Sequence, residues 1–411
     1  MAKNDNLGDY LADIADAIRA KKGTADPINA QDFASEISGI ETGSTVAASP
    51  YLDVNFVDID GTILHSFSKE QFLSMDSLPE EPSRYGLVCQ GWNHTYEEAH
   101  SYVEKYGSLM VGATYMTDDG ATRLYIRVFS EGRKNVPLFF NQSVSQGVSI
   151  DWGDGSPLEV LEETGYVNTS HEYERLGDYV IRLVVSEGTM SFGSGDSANS
   201  ILGATTNSNR AYRTMLTKVE IGEGVTNLGA YAFEYCFALE MCSIPKGVTG
   251  VGTYVFGYCI SLKHVTFPKG FTGYSTYTLR DCSGLSTVSL PQGAASFSTG
   301  VFYYCTGLSH INIPETAKSL GVYFLQYCSA LGSLTVPSSI TSFGAFAFAA
   351  CYSTGIYDFT AYASVPSLGN ANVFNNIPAD CKIIVREELL DSWKAATNWS
   401  TYADRIVSIS N

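Results

Sequence analysis

Basic residues are scarce in this 411-residue chain, where 25 lysines and arginines stand against 43 aspartates and glutamates and the formal net charge is −18. Nucleic-acid-binding proteins need basic patches that neutralise phosphates, so this charge balance excludes that class of function. The same excess of negative charge disfavours attachment to an anionic membrane surface. We therefore expect no nucleic-acid partner.

Long apolar segments are missing as well. No stretch reaches the roughly 18 consecutive apolar residues that a membrane helix needs, which predicts no membrane insertion. The first residues, MAKNDNLGDYLADI, lack a basic segment followed by an apolar one. This predicts a protein without a signal peptide that is made in a cytoplasm.

Signatures of catalysis and metal binding are also missing. The six histidines are scattered, and no G-x-S-x-G, H-E-x-x-H or phosphate-binding P-loop occurs. The closest cysteines, Cys236 and Cys242, stand too far apart for the C-x-x-C type of spacing seen in zinc sites. We expect no catalytic residue, no cofactor and no bound metal, and hence a protein that is not an enzyme.

One segment nevertheless matches a known active-site motif. The run FVDIDGTIL matches the D-x-D-G-T motif of haloacid-dehalogenase-type phosphatases, in which Asp58 would be the nucleophile and Asp60 the acid or base. Those enzymes need a doubly wound α/β domain, whereas the residues after this run alternate like β-strands. A turn at Asp60-Gly61 between two strands explains the same residues, so a phosphatase function remains the remote alternative.

The abundant feature is a strict repeat. Six cysteines stand 23 residues apart, and five leucines and five prolines keep the same step. A fixed period of this length with leucine anchors indicates a solenoid, and its coincidence with apolar columns indicates that the cysteines are buried structural residues. The pattern resembles the BspA-like leucine-rich repeat family over residues 208–381. The cysteine column consists of Cys236, Cys259, Cys282, Cys305, Cys328 and Cys351.

Two further columns of the repeat carry tyrosines, five positions and one position before each cysteine. Lines of aromatic side chains with polar tips suit a glycan or protein partner, although they could equally just seal the solenoid wall. The outward strand face adds a third, small and polar line. The predicted ligand surface comprises Tyr231, Tyr235, Tyr254, Tyr258, Tyr277, Tyr304, Tyr323, Tyr327, His264 and His310.

The region before the repeats reads as two β-rich modules. Residues 50–112 have the order strand, D-G-T, strand, P..P…G…GW, which resembles the internalin-type B repeat and implies a β-grasp-like fold. Residues 113–195 contain WGDGS, then H-x-Y and G-x-Y-V, and resemble the PKD type of immunoglobulin-like sandwich. Asp151 and Asp154 either cap the WGDG turn, which we favour, or help to bind Ca²⁺. Residues 382–411 are predicted to form a C-terminal cap.

Residues 1–44 carry two helical stripes and the run ADAIRAKKGT…INAQDF…EISGI. This run resembles the head of tail-associated proteins from phages and prophages of gut bacteria. The resemblance implies an attachment or oligomerisation segment that contacts other tail or baseplate proteins, with a homo-oligomer as an option. It also implies a place in the virion tail.

The resulting hypothesis is a mainly β, multidomain chain with a helical hairpin, a β-grasp-like module, a PKD-like sandwich and a capped leucine-rich-repeat solenoid. We predict a phage or prophage tail-associated structural and host-recognition protein that binds a bacterial surface glycan or protein through the solenoid. The alternative is a BspA-like adhesin on a bacterial cell surface.

Overall fold

The computed structural model describes residues 52–193, 199–204 and 210–408. All of these residues belong to one compact unit. The helical segment predicted for residues 1–44 lies outside the described residues.

The first module, residues 52–117, is a mixed four-stranded sheet with two helices. Its strands β1 and β4 pair in parallel at the centre, with β2 and β3 antiparallel at the edges in the order β2-β1-β4-β3. Each helix begins at a capping box, with Ser68 and Thr95 as the N-caps. The elements are β1 (Val54–Val57), β2 (Ile63–Phe67), α1 (Lys69–Leu73), β3 (Leu87–Trp92), α2 (Tyr96–Tyr106) and β4 (Leu109–Thr117), the last running past the predicted boundary at residue 112.

The second module is a two-sheet sandwich whose inner faces alternate with outer ones along each strand. In β5, for example, Leu124, Ile126 and Val128 are buried between the sheets. One sheet has the order β5-β10-β7-β8 and the other the order β11-β6-β9. The strands are β5 (Thr122–Val128), β6 (Asn135–Gln142), β7 (Val148–Asp151), β8 (Glu159–Val160), β9 (Gly165–Glu172), β10 (Gly177–Val185) and β11 (Met190–Phe192), with a 3₁₀ turn at Glu131–Arg133.

The remaining residues form a β-solenoid of about eight turns. It is preceded by β12 (Asn199–Ser200), β13 (Gly203–Ala204) and α3 (Arg210–Arg213). Most turns supply a short strand to each of two stacks on different sides of the coil, which we call the first and second ladders. The strands pair in parallel, and the pairing is interrupted after β16 and β21 in the first ladder and after β19 in the second. The first ladder comprises β14 (Leu216–Glu220), β16 (Met241–Cys242), β18 (His264–Thr266), β20 (Thr287–Ser289), β21 (His310–Ile311), β23 (Leu334–Thr335), β25 (Ile356–Asp358), β27 (Lys382–Val385) and β28 (Ile406–Ser408). The second comprises β15 (Val225–Leu228), β17 (Gly250–Val251), β19 (Gly273–Tyr274), β22 (Ser319–Leu320), β24 (Ser342–Phe343) and β26 (Ser367–Leu368).

The sandwich and the solenoid share both sheets. Strand β14 of the first coil pairs antiparallel with β5, and β15 pairs in parallel with β11. One hydrophobic cluster runs from the sandwich through the whole solenoid. The sandwich therefore covers the first coil of the repeat array. The apolar end of that coil would be exposed if the two regions were separate domains.

The far end of the solenoid is closed by aromatic side chains. After β27 the chain forms a 3₁₀ turn at Glu387–Leu389, α4 (Leu390–Ala395) and a second 3₁₀ segment at Trp399–Arg405. Trp393 and Trp399 pack edge to face at 4.6 Å between ring centroids, and both contact Phe359. This packing covers the last coil.

The 52–117 module, which we call the clasp, folds back onto the first ladder of the solenoid. The Asn93 Nδ2 donates to Ser289 Oγ at 2.9 Å, and the Met110 amide donates to Asn312 Oδ1 at 2.9 Å. Further along, the Tyr102 hydroxyl donates to the Ile313 carbonyl at 2.8 Å. The clasp therefore covers the outward strand face of several successive coils.

Candidate binding surface

The two tyrosine columns share an unusual backbone conformation. In every coil the residues five and one positions before the cysteine have positive φ, between 55° and 65°. The left-handed region costs an L-residue roughly 1–2 kcal/mol. At most of these positions the conformation points the amide at the next coil. For example, Tyr231 N donates to Thr253 O at 2.8 Å and Tyr254 N donates to Thr276 O at 3.1 Å. These intercoil hydrogen bonds offset the strain.

The same conformation brings the tyrosine rings of successive coils into stacks. Tyr235 lies 4.5 Å from Tyr258, and Tyr304 lies 4.2 Å from Tyr327, measured between ring centroids with interplanar angles of 13° and 21°. The other column continues with separations of 5.6 and 5.0 Å from Tyr231 through Tyr254 to Tyr277. Because the ring faces cover one another, the ring edges and hydroxyls are what a partner would meet.

An arginine joins the two columns at the middle of the array. The Arg280 guanidinium lies 5.2–5.8 Å from the ring centroids of Tyr254, Tyr258, Tyr277 and Tyr303. Its Nε donates to Asp281 at 2.8 Å and its Nη1 donates to the Tyr254 hydroxyl at 3.0 Å. Such cation–π contacts are worth about 0.5–2 kcal/mol each, depending on desolvation. We use the name tyrosine wall for the tyrosines of the two columns together with Arg280, Asp281 and Tyr303.

The electrostatics keep Arg280 charged. Burial would lower the pKa of its guanidinium, but the hydrogen bonds to Asp281 and Tyr254 raise it above its usual value. Burial also raises the pKa of Tyr258 to about 12, against the opposing effect of the Arg280 charge. Arg280 is thus a fixed cation among the phenol rings at the centre of the wall.

The tyrosine wall is irregular at the level of Arg280. Asp281 replaces tyrosine in one column, and Gly300 replaces it in the other. A Cβ on Gly300 would lie 2.3 Å from Tyr277 Cε1, so glycine leaves the space that this ring occupies. Tyr303, whose ring centroid is 6.0 Å from that of Tyr277, continues the aromatic surface.

Sequence reasoning found the tyrosine columns and missed Arg280, Asp281 and Tyr303. Arg280 and Tyr303 stand two positions before a cysteine, where the successive coils share no residue type. No column was therefore visible there. The signal that could have found them is the loss of tyrosine from both columns in two neighbouring coils, at Asp281 and then at Gly300, which marks this part of the array as different.

The six cysteines of the repeat are fully buried in the core and have free thiols. From the second one onwards, each thiol donates to a carbonyl 26 residues earlier, in the preceding coil. Cys282 Sγ lies 3.0 Å from Phe256 O, and Cys305 Sγ lies 3.0 Å from Leu279 O. Burial raises the pKa of Cys236 and of Cys351 to about 12, so these thiols stay protonated.

Of the two histidines of the predicted ligand surface, His264 lies beneath the clasp, whereas His310 is partly exposed. His264 is fully buried, with ring nitrogens 2.7 Å from Thr287 Oγ1 and 2.9 Å from Thr266 Oγ1. The Nε2 atom of His310 lies 3.0 Å from Asn312 Oδ1. The structure corrects the prediction for His264, since the clasp occupies this part of the strand face that the sequence left open.

The D-x-D-G-T segment forms a tight turn fixed by an arginine. Arg84 donates to Asp58 at 2.7 Å and to Asp60 at 2.8 Å, while the Asp58 amide donates to the Thr62 carbonyl at 2.8 Å. Although burial opposes it, hydrogen bonding to Arg84 lowers the pKa of Asp60 to about 2. Both carboxylates are thereby engaged in ion pairs within the clasp.

The aspartates of the WGDG turn accept hydrogen bonds from the turn itself. Asp151 accepts from the Gly153 amide at 2.9 Å and Asp154 from the Ser156 amide at 3.0 Å. Across the described ranges no group of three or more histidine, cysteine or acidic side chains is arranged to hold a metal ion. None of the helices in those ranges has the length and apolar content needed to cross a bilayer.

Comparison with known proteins identifies the repeats. A family model described as a BspA type leucine rich repeat region matches residues 226–355 in six copies. Curated proteins give no match. Residues 226–355 are therefore a BspA-type leucine-rich repeat region, and the mainly β fold with a C-terminal solenoid is confirmed.

Solved leucine-rich repeat structures resemble parts of the chain. A T. pallidum protein is 20% identical over 38% of this chain and 66% of its own, just under two thirds, with a TM-score of 0.28. A Bacteroides ovatus protein is 19% identical over 58% of this chain and 70% of its own, with a TM-score of 0.34. A leucine-rich cell surface protein from Faecalibacterium prausnitzii is 18% identical over 47% and 68%, with a TM-score of 0.29.

Proposed function

We propose that this chain is an adhesin-type recognition protein of a bacterial cell surface and that its tyrosine wall binds a protein or glycan partner. BspA-type repeats over residues 226–355 support the adhesin class. The observation that carries the binding role is Arg280, a charged side chain held among four tyrosine rings on the outside of the array.

The chemistry of the wall suits polar recognition at its centre. A guanidinium has five N–H donors, and Asp281 and the Tyr254 hydroxyl account for two of those on Arg280. The remaining donors, with the neighbouring phenol hydroxyls, can bind a carboxylate or carbonyl group of a partner. Tyrosine and arginine are also the residue types that dominate binding energy at interfaces.

The test is the binding of labelled full-length protein to intact bacterial and epithelial cells and to a glycan array. We expect Arg280→Gln to weaken binding about tenfold or more, because it removes a charge-assisted hydrogen bond and loosens the cage. Arg386→Gln, a substitution in the C-terminal cap, is the matched control and should leave binding unchanged. Equal binding by folded wild-type and Arg280→Gln proteins would refute the role of the wall.

A phage or prophage tail protein is the second candidate, and it rests on the resemblance of residues 1–44 to tail-associated proteins. The two candidates differ in where the protein is found. An adhesin is detected by antibody on cells that produce no phage particles, whereas a tail protein is found by mass spectrometry in purified particles. Detection in particles alone would decide for the tail protein.

We also propose roles for the parts before the repeats. The order β2-β1-β4-β3 with a parallel central pair supports a β-grasp-like clasp, and the two-sheet sandwich around the WGDG turn supports a PKD-like module. In this proposal Asp58 and Asp60 are structural, since Arg84 pairs with both. Mg²⁺-dependent phosphoester hydrolysis that Asp58→Asn abolishes would contradict this assignment.

A further inference from the structure

A small polar pocket lies beside helix α2 of the clasp, where the first ladder of the solenoid is interrupted after β21. Its volume is about 280 Å³. Small-molecule sites usually start at about 300 Å³, so this pocket suits a single small ligand. Tyr102 and Tyr106 of α2 form one side, and β21 and β23 of two successive coils form the other. None of the described residues that line it belongs to the tyrosine wall.

A histidine beneath the clasp shows which partners this position of the ladder needs. His264 and His310 occupy equivalent positions two coils apart. Both ring nitrogens of His264 have a partner, one in Thr266 of the same strand at 2.9 Å and one in Thr287 of the next coil at 2.7 Å. His310 has the partner on its own strand, since Nε2 lies 3.0 Å from Asn312 Oδ1. Its Nδ1 has no hydrogen-bond partner among the described residues.

The hydrogen bonds of Asn312 fix the tautomer of His310. The Met110 amide donates to Asn312 Oδ1 at 2.9 Å, and Asn312 Nδ2 donates to the Ser108 carbonyl at 3.0 Å, so Oδ1 is the amide oxygen. Because this oxygen only accepts, His310 Nε2 must carry the proton. Burial lowers the pKa of His310, although the bond to Asn312 opposes this, so the ring is neutral at neutral pH. Its Nδ1 therefore has a free lone pair.

Free hydroxyl groups of the next coil line the same pocket. Ser333 stands where Thr287 stands relative to His264, and Thr335 follows it in β23. Ser333 is exposed and Thr335 is half-buried, and neither hydroxyl bonds to another described residue. With His310 Nδ1 they form a set of two hydroxyls and one pure acceptor. A ligand with several adjacent hydroxyls can satisfy such a set, because each hydroxyl both donates and accepts.

The pocket favours an uncharged ligand. Its described lining contains no lysine, arginine, aspartate or glutamate. Glu315, which accepts from the Tyr106 hydroxyl beside the pocket, is paired with Lys105. The lone pair of His310 and the net charge of −18 on the chain both disfavour a carboxylate. The rings of Tyr102 and Tyr106, with centroids 4.7 Å apart, supply apolar surface for the carbon-bound hydrogens of a sugar.

We propose that this pocket binds one neutral sugar residue of a glycan, with one sugar hydroxyl donating to His310 Nδ1 and its neighbours bound by Ser333 and Thr335. The carbon-bound hydrogens of the sugar face the two tyrosines of α2. The site is separate from the tyrosine wall, so it adds a glycan contact whichever partner the wall binds.

NMR titration of the full chain with nitrogen-15-labelled histidine tests the proposal. The probes are the methyl glycosides of glucose, galactose and mannose, each with its uronic-acid counterpart. We expect at least one neutral glycoside to bind with a Kd of about 1 mM or lower, to shift the Nδ1 resonance of His310, and to bind about tenfold more tightly than its uronic acid.

Substitutions at exposed positions locate the sugar. Ser333→Phe should fill the pocket and abolish binding, and Ser333→Ala should weaken binding about 2–10-fold through the loss of one hydrogen bond. Ser364→Ala, at an exposed serine in the last part of the solenoid, is the control and should bind like the wild type. Thermal unfolding checks that each variant is folded.

Four results overturn the proposal: no binding of any neutral glycoside at about 10 mM, binding of a uronic acid as tight as that of its neutral counterpart, binding that leaves the His310 resonance unchanged, or full binding by folded Ser333→Phe. Arg280→Gln should leave this titration unchanged, so failure of the tyrosine wall and failure of the pocket are distinguishable.

Discussion

Tyrosines with positive φ are the residue-level basis of the candidate binding surface. The left-handed conformation recurs at two positions of each coil and aligns the rings at 4.2–5.6 Å in the stacked pairs. Glycine usually occupies such positions because it has no Cβ. Here the side chains themselves form the surface, and glycine is used only at Gly300, where the Tyr277 ring needs the space.

Replacement of Gly300 by alanine tests this packing. The new Cβ would lie 2.3 Å from Tyr277 Cε1, in a ring held by Tyr254, Arg280 and Tyr303, so we expect a loss of about 1–3 kcal/mol in the free energy of unfolding. Gly355→Ala is the control, because no atom lies within 4 Å of its Cβ position. Urea denaturation compares the two. Equal midpoints for both variants would show that the Tyr277 ring is not held over Gly300.

Residues that recur in every coil could be predicted from the sequence, whereas a residue that occurs in one coil could not. The cysteine, leucine and tyrosine columns were visible because their period of 23 is strict. Arg280 occurs once, at a position that is glutamate, glycine, tyrosine, glutamine or alanine in other coils. Its role depends on rings from three different coils, and such a spatial cluster has no signature in one stretch of sequence.

At the level of elements, the contact between the clasp and the first ladder contains three buried or nearly buried histidines. His94 and His264 are covered by the two packed modules, and His310 lies further along the same ladder. Burial lowers the pKa of His94 to about 3, with Lys269 adding to the effect. Burial lowers the pKa of His264 to about 4, although hydrogen bonding near Thr287 and the charge of Asp60 oppose this.

These histidines make the clasp contact sensitive to acid. Because their pKa values in the folded protein lie below the ordinary 6.5, the stabilisation is complete above pH 6.5 and is lost as the pH falls towards 4. Each contributes a slope of about 1.4 kcal/mol per pH unit, which amounts to about 4 kcal/mol for the pair at pH 5. We expect the hydrogen-exchange protection factors of amides in β4 and β20, which are corrected for the pH dependence of intrinsic exchange, to fall steeply between pH 6.5 and 5.

Substitution isolates the histidine effect from that of the carboxylates. The double variant His94→Gln, His264→Gln should flatten the pH dependence, while His65→Gln, at an exposed position of β2, should keep the wild-type slope. An unchanged slope in the double variant would show that other groups control the contact. The sequence predicted a strand over His264 but not its cover, because β18 meets a clasp that lies far upstream in the chain.

For the whole molecule, the shared sheets make the sandwich and the solenoid one structural unit. The pairing of β14 with β5 and of β15 with β11 joins two regions that composition separates at a Gly/Ser/Asn-rich stretch. Hydrophobic periodicity predicts that each strand exists and which face is buried. It does not show which other strand each one pairs with, and this pairing determines where a hydrophobic core ends.

Truncation tests this unity. A fragment of residues 210–411 exposes the edge of β14 and the apolar end of the first coil, so we expect it to aggregate and to bind a hydrophobic dye. A fragment of residues 118–411 keeps the sandwich and lacks residues 1–51 and the clasp, and we expect it to be monomeric and to unfold cooperatively. Size-exclusion chromatography and thermal unfolding compare the two. A monomeric, cooperative 210–411 fragment would contradict the shared core.

The clasp also limits how such an array can grow by duplication. A copied 23-residue coil preserves every intercoil hydrogen bond of the solenoid, but under the clasp it would displace the later anchors by a strand spacing of about 4.8 Å. The hydrogen bonds from the Lys246 amide to Gln90 Oε1 and from the Tyr102 hydroxyl to the Ile313 carbonyl could then no longer form together. The apolar cluster of the clasp reaches from Met241 to Ala361, so added coils are disfavoured along this whole stretch and the clasp fixes the number of coils beneath it.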